Sequence, residues 1–97
     1  MTIWRNSRVE TYYGSQAVFD TAPCIVAIGD GRISVKYDYD GGTEVYEGTE
    51  IGSGHFKLKS QDGLGEASLH CFPGGLRLDG WWKEEGETGM WRILLAD

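Results

Sequence analysis

From residue 24 onward, hydrophobic and polar residues alternate with a period of two, which is typical of β-strands that have one buried face. Turn-forming segments rich in glycine interrupt this alternation about every ten residues. In chain order they are Asp30-Gly31, Gly41-Gly42, Ile51-Gly52-Ser53-Gly54, Asp62-Gly63-Leu64-Gly65, Pro73-Gly74 and Gly86-Glu87. The pattern predicts seven strands in an antiparallel meander, over residues 24–29, 32–39, 43–49, 55–59, 65–72, 76–84 and 89–95.

Two-residue turns at four of these segments would each fix the register of a hairpin. A slip of one residue would turn every apolar side chain to the opposite face, so agreement between the four turns is informative. All four registers place apolar residues on one common inner face. The predicted partners are Ile28 with Ile33 and Val26 with Val35, Tyr37 with Tyr46 and Val35 with Gly48, Cys71 with Leu76, Leu69 with Leu78 and Ala67 with Gly80, and Trp82 with Trp91 and Gly80 with Ile93.

The first 23 residues contain two further strand candidates, residues 9–13 and residues 16–19. A strand formed there would pair with residues 89–95 and close the sheet, which removes both exposed edges. We therefore expect an all-β fold: a single domain over residues 1–97, built as an antiparallel meander of seven or eight strands and closed into an up-and-down barrel. Polar residues such as Lys36, Asp38 and Asp40 would face outward.

A short Gly-x-aromatic element occurs three times, at Gly54-His55-Phe56, Gly80-Trp81-Trp82 and Gly89-Met90-Trp91. Glycine lets a strand bend where a ring packs across its backbone, as at the corners of barrels. On these units, together with Arg92, the chain resembles the calycin-like and avidin-like small up-and-down barrels. The resemblance covers residues 24–95, and it implies a barrel that holds a small apolar molecule inside.

The predicted inner aromatic residues could line a ligand cavity, because ligand sites are concave and mostly apolar. They could equally fill the core, since an eight-stranded barrel is only just wide enough for side chains or one small ligand. The candidate ligand-binding residues are Trp82, Trp91, Tyr37, Tyr46 and Phe56.

A second hypothesis is a protein-interaction module, or a homodimer, that uses the outer surface. Trp and Arg are enriched at interface hot spots, and the register predicts that Trp81 stacks on Arg92 across the outer face. Trp4 and Phe72 are the other candidate interface residues.

His55 and His70, the two histidines, are predicted to lie directly opposite each other on adjacent strands, with Lys59 opposite Glu66. A zinc site needs a third and usually a fourth ligand, and the nearest predicted neighbours, Lys57 and Ser68, are unsuitable. We therefore expect two solvated histidines and no metal.

Net charge of −6 argues against nucleic acid and acidic lipid as partners. No apolar run approaches the roughly 18 residues that span a bilayer, and the first five residues lack a secretory signal. Cys24 and Cys71 do not form a Cys-x-x-Cys unit, so we expect small buried thiols in a cytoplasmic protein, with a disulfide between them as the alternative. No catalytic or phosphate-binding motif is present, so we expect neither an enzyme nor a cofactor, although distant strands can assemble an active site without a motif.

Overall fold

The computed structural model describes residues 1–14, 19–39 and 41–97, and at Phe19 the backbone alone. It confirms the all-β prediction: eight antiparallel strands follow one another as a meander, and the first pairs with the last to close a barrel. The strands are β1 (Thr2–Tyr13), β2 (Phe19–Gly29), β3 (Arg32–Tyr39), β4 (Gly42–Gly52), β5 (His55–Ser60), β6 (Gly65–His70), β7 (Arg77–Glu84) and β8 (Glu87–Leu94). The strand candidate at residues 16–18 and the outward Asp40 lie outside the described residues.

The predicted closing strand is β1. Its residues 8–13 pair with β8, with Val9 opposite Ile93 and Thr11 opposite Trp91. A bulge between Trp4 and Ser7 shifts the register, so that both of these side chains turn toward the interior. The buried Ser7 hydroxyl donates to the Trp4 carbonyl and accepts from the Ala96 amide, which fastens the chain's last residues across the barrel end.

The predicted register is confirmed at one of the four two-residue turns. Val26 lies opposite Val35 and Ile28 opposite Ile33, across a turn in which Asp30 and Gly31 have φ of 55° and 74°. Two positive φ values are typical of a type I′ turn, whose twist matches that of the flanking strands.

The other three predicted registers are wrong by two residues each. Their observed partners are Val35 with Tyr46, Leu69 with Gly80, and Gly80 with Trp91. In the last hairpin the turn centres on Glu85 and Gly86, with φ of 48° and 85°. Glu85 therefore occupies the first central position of the turn, for which the sequence predicts Gly86. Because the error is two residues, the predicted inward side chains within the strands still face inward. Leu76 is the exception: it was predicted opposite Cys71 on the inner face, but it precedes β7 and is 62% exposed.

The β6–β7 connection differs for another reason. The Gly75 amide donates to the Phe72 carbonyl at 2.8 Å across Pro73 and Gly74, whose φ of 76° is typical of position i+2 in a type II turn. Type II turns splay the strands that flank them. Strand pairing therefore stops at His70 and Asp79, and residues 71–76 form a longer loop.

Three glycines inside strands allow neighbouring strands to approach closely. A Cβ atom at Gly48 would overlap the Lys57 carbonyl oxygen, and one at Gly80 would overlap the Ser68 carbonyl oxygen. At Gly89 a Cβ atom would overlap the Tyr12 carbonyl oxygen and lie 2.8–2.9 Å from the Trp82 indole. Two of the three Gly-x-aromatic units, at Gly80 and Gly89, thus begin where strand backbones approach closely, whereas Gly54 of the third unit lies in the β4–β5 turn with φ of 72°.

We expect Gly80→Ala to lower the free energy of unfolding by about 3 kcal/mol, because its Cβ would collide with the strand backbone of β6. Gly52→Ala is the matched control, since the nearest atom to its Cβ is the Cβ of His55 at 4.0 Å. The control should change stability by less than about 0.5 kcal/mol. Urea unfolding measures both values, and equal values would contradict the close-approach role of Gly80.

Candidate functional site

One end of the barrel opens into a half-open cavity of about 650 Å³. Hairpins β3–β4, β5–β6 and β7–β8 turn at this end, which we call the mouth. The buried Val9 and the partly buried Ala22 form an apolar part of the cavity wall. The volume falls within the range of about 300–1,000 Å³ that is usual for small-molecule sites.

Three tyrosines line the mouth cavity and give it an aromatic wall. The Tyr37 ring meets Trp91 edge to face at 5.9 Å between ring centroids, and the Tyr13 ring meets Trp82 in the same way at 5.5 Å. Tyr39, the third, is mostly exposed. Burial raises the pKa of both Tyr37 and Tyr13, with nearby carboxylates adding to the effect, so these phenols stay protonated and can donate hydrogen bonds.

Acidic side chains dominate the charge of the mouth cavity. Among its lining residues within the described ranges there is neither lysine nor arginine, and six are carboxylates. The six are Asp20, Asp38, Glu44, Asp62, Glu84 and Glu85.

Glu44, Asp62 and Glu84 bring their carboxylate oxygens within 4.8 Å of one another. Two of these groups have donors: the Ser60 hydroxyl and the Leu64 amide donate to Asp62 at 2.6 and 2.9 Å, which lowers the pKa of that carboxyl. Glu44 accepts no side-chain hydrogen bond from the part of the chain that the structure describes. Desolvation, followed by the charges of Asp62 and Glu84, raises the pKa of Glu44.

Glu84 is held by a buried tyrosine. The Tyr46 hydroxyl donates to its carboxylate at 3.2 Å, and burial with the Glu84 charge raises the pKa of Tyr46. Gly65 makes room for this contact, because a Cβ atom there would overlap the Tyr46 hydroxyl. Because Gly65 on β6 has no side chain, the Tyr46 hydroxyl can reach the Glu84 carboxylate beside the mouth.

The structure places four of the five predicted ligand-binding residues in a packed core. Tyr46, Phe56, Trp82 and Trp91 are all at most 5% exposed, and Tyr46 packs edge to face on Trp91 at 4.9 Å. Tyr37 is the member of the set that lines the mouth cavity. Both indole N–H groups donate hydrogen bonds to β1: that of Trp82 to the Tyr12 carbonyl and that of Trp91 to the Thr11 hydroxyl.

The predicted outer-face stack of Trp81 on Arg92 is wrong. The two-residue register error means that Trp81 lies opposite Met90, whereas Arg92 lies opposite Asp79. Asp79 forms ion pairs with both Arg92 and Arg77, at 3.2 and 2.8 Å.

The other predicted interface residues have different surroundings. Trp4 is partly buried and packs against the core, which corrects its expected place on the outer surface. Phe72 is 87% exposed and Trp81 is 42% exposed, as expected for outer-face residues. Phe72 and Leu76 line a half-open groove of about 590 Å³ at the barrel end away from the mouth.

The predicted pairing of the two histidines across adjacent strands is confirmed. His55 lies opposite His70 and Lys59 opposite Glu66. The imidazole centroids are 4.0 Å apart with the rings tilted by 35°, and His55 Nε2 is 3.2 Å from the Ser68 hydroxyl. Both cysteines are free; Cys24 is buried, which raises the pKa of its thiol to about 12, whereas Cys71 is partly exposed.

Sequence reasoning missed the acidic mouth. The sequence did contain an indication of it. Glu44 and Glu84 each lie two residues from an inward aromatic residue, Tyr46 and Trp82 respectively, so alternation turns both carboxylates to the inner face. Inward carboxylates at strand ends indicate a polar cavity rim. Their proximity to Asp62 depends on the conformation of the 60–65 loop, which no alternation pattern reports.

Comparison of the chain with models of known protein families and with characterised proteins gave no match. The described residues form strands, turns and loops, and they include no helix of the length and hydrophobicity needed to cross a membrane.

We expect Tyr46→Phe to cost about 1 kcal/mol, because the Glu84 carboxylate loses its phenol donor. Gly65→Ala should cost about 2 kcal/mol by displacing the same hydroxyl. In the double variant the new methyl group still lies near the ring carbon Cζ, at 2.9 Å, but the hydrogen bond that both single changes break is lost only once, so the combined loss should fall short of the sum by about 1 kcal/mol. Chemical denaturation of the four proteins gives this coupling, and strict additivity would show that Gly65 does not act through Tyr46.

Proposed function

We propose that this protein is a non-enzymatic binding protein for a small organic cation with an apolar body, held in the mouth cavity. The observation that carries the proposal is a cavity of about 650 Å³ that combines tyrosine rings and a few apolar lining residues with six carboxylates and no described basic residue. An apolar body would pack on Val9, Ala22 and Leu64. A protonated amine would sit between the carboxylates and the tyrosine faces.

The packing of the interior supports the mouth as the binding position. Trp82, Trp91, Phe56 and Tyr46 occupy the volume that a ligand held deeper in the barrel would need. A ligand at the mouth displaces none of these side chains, and it meets Tyr37 as the outermost member of the aromatic set.

Electrostatics supports a cationic ligand. Three carboxylates within 4.8 Å of one another repel, and Glu44 in particular has no described donor to offset that repulsion. A bound cation removes this penalty, whereas a neutral ligand leaves it in place. The low-dielectric wall of the cavity also concentrates the negative potential at the mouth, which speeds the arrival of cations.

The closed eight-stranded meander supports the resemblance to calycin-like and avidin-like barrels, in which a small molecule is held by the barrel. The free thiols of Cys24 and Cys71 support a cytoplasmic location.

A protein-interaction surface on the outer wall is the second candidate function, favoured by the exposure of Phe72.

The ligand proposal is tested with three molecules that share one body and differ in charge: phenethylamine, 2-phenylethanol and phenylacetate. Amide NMR titration of the full chain should show saturable shifts near Tyr37 and Glu44 with the amine. The alcohol should bind at least about tenfold more weakly, and the carboxylate should not bind. Equal binding of amine and alcohol would contradict the role of charge, and displacement of the amine by equimolar calcium would favour an inorganic cation instead.

We expect Glu44→Gln to weaken amine binding while making the protein more stable at neutral pH. Because folding raises the pKa of Glu44, the folded chain binds more protons than the unfolded chain between the two pKa values, so stability falls as pH rises through that interval. Glu44→Gln removes the titrating carboxyl and, with it, this loss of stability. Its melting temperature should exceed that of the wild type at about pH 7 and match it at about pH 3, where the carboxyl is protonated in both states.

Glu66→Gln is the matched control, because it removes the same charge from the exposed outer wall. It should leave amine binding unchanged. A Glu44→Gln protein that binds the amine as well as the wild type would contradict the proposed site even if it were more stable.

A further inference from the structure

The His55–His70 pair occupies the position in an antiparallel ladder where side chains come closest. The Cys71 amide donates to the Gly54 carbonyl at 2.8 Å, while the Gly54 amide donates to the Glu50 carboxylate at 2.9 Å, so Gly54 and Cys71 keep one of the two bonds of a hydrogen-bonded pair. Hydrogen-bonded and non-hydrogen-bonded pairs alternate, so His55 and His70 form a non-hydrogen-bonded pair. Such pairs have the shorter Cβ separation, and here the imidazole centroids are 4.0 Å apart.

A modest spreading of the two rings would let them bind one zinc ion. Two nitrogens that each lie 2.0–2.1 Å from a tetrahedral zinc are roughly 3.3 Å from each other, which places the ring centroids roughly 5 Å apart, so these imidazoles would separate by about 1 Å on binding the metal. In the tautomer in which His55 Nε2 donates to the Ser68 hydroxyl, at 3.2 Å, the Nδ1 lone pair is left for a metal. A hydrogen bond of this kind on the second nitrogen is what fixes the ring of most metal-bound histidines.

One chain supplies half of a tetrahedral set. In residues 1–14, 19–39 and 41–97, the group of three or more side chains close enough to share an ion is Glu44, Asp62 and Glu84, which lies at the mouth and excludes the histidines. Asp79 lies opposite His70, but its carboxylate is held by the guanidinium groups of Arg77 and Arg92. The Cys71 thiol points to the carbonyls of Phe72 and Gly75.

The surface beside His70 is apolar and open. The groove of about 590 Å³ at this end is lined by His70, Phe72, Pro73 and Leu76. Phe72 is 87% exposed and Leu76 is 62% exposed, so a partner that covers them removes a large aromatic side chain from water. Arg77, Asp79 and Arg92 form a charge network at the edge of this surface, where a polar rim is usual for an interface.

We propose that zinc joins two copies of this chain through the His55 and His70 pairs of both copies. Four imidazoles then complete the tetrahedral coordination that one chain leaves half filled. A twofold axis through the metal places the same surface of each copy against the other, which is the usual symmetry of a homodimer. The exposed Phe72 side chains are buried beside the metal in this arrangement.

Sedimentation equilibrium of the untagged full chain, with EDTA and then with half an equivalent of zinc chloride, tests the proposal. We expect a monomer in EDTA and a dimer that holds one zinc per two chains after zinc addition. His55→Gln and His70→Gln should each remain monomeric in zinc. In EDTA both variants should melt at the same temperature as the wild type, which would show that they are folded.

Two further variants separate the contributions to the dimer. Phe72→Ser should weaken the zinc-dependent dimer by about tenfold while leaving the chain folded, because Phe72 contacts solvent in the monomer. Glu44→Gln should dimerise as the wild type does, because the carboxylates at the mouth are not ligands of this ion. Zinc bound at one per chain without dimerisation would overturn the proposal, and so would a zinc-dependent dimer that survives His55→Gln.

Discussion

The close approach of strand backbones at three glycines is the constraint on which the rest of this barrel depends. Eight strands close into a small barrel only if they coil strongly, and coiling brings the backbones of neighbouring strands together at the corners. Gly48, Gly80 and Gly89 occupy such corners, where any Cβ atom would overlap a carbonyl oxygen of the adjacent strand. Closure then follows from the pairing of β1 with β8.

Tight coiling also decides where a ligand can be held. A narrow interior is filled by a few large rings, and Trp82, Trp91, Tyr46 and Phe56 fill this one. Space remains at the mouth, where the strands end and the inward positions of β4 and β7 carry Glu44 and Glu84 instead of apolar residues. The polar character of the cavity is therefore a consequence of which residues stand at the strand ends, and it coexists with a core of mostly apolar and aromatic side chains.

The alternation of side chains was sufficient to predict strands β2 to β8 and the inner face, because a period of two is a direct property of an extended backbone. The closed barrel was predicted from the need to remove exposed sheet edges, since residues 1–23 offered only strand candidates. It was insufficient to predict most registers. Turn centres depend on φ values such as that of Glu85, which is left-handed at 48° although Glu has no special preference for that region. The error of two residues preserved every face and yet exchanged outer-face neighbours, so Trp81 lies opposite Met90 rather than Arg92. The meeting of Asp62 with Glu44 and Glu84 depends on a loop, and loops carry no periodic signal.

The two buried tryptophans are both anchored to the strand that closes the barrel. Trp82 donates its indole N–H to the Tyr12 carbonyl and Trp91 donates to the Thr11 hydroxyl, although 70 and 80 residues of chain separate the partners. Bringing such distant segments together carries the largest loop-closure cost in a meander, so we expect this seam to form late during folding. Separation of β1 from β8 would release both indoles at once into water. The chain thus contains a fluorescent reporter of the seam, because opening would change the emission of Trp82 and Trp91 against the background of Trp4 and Trp81.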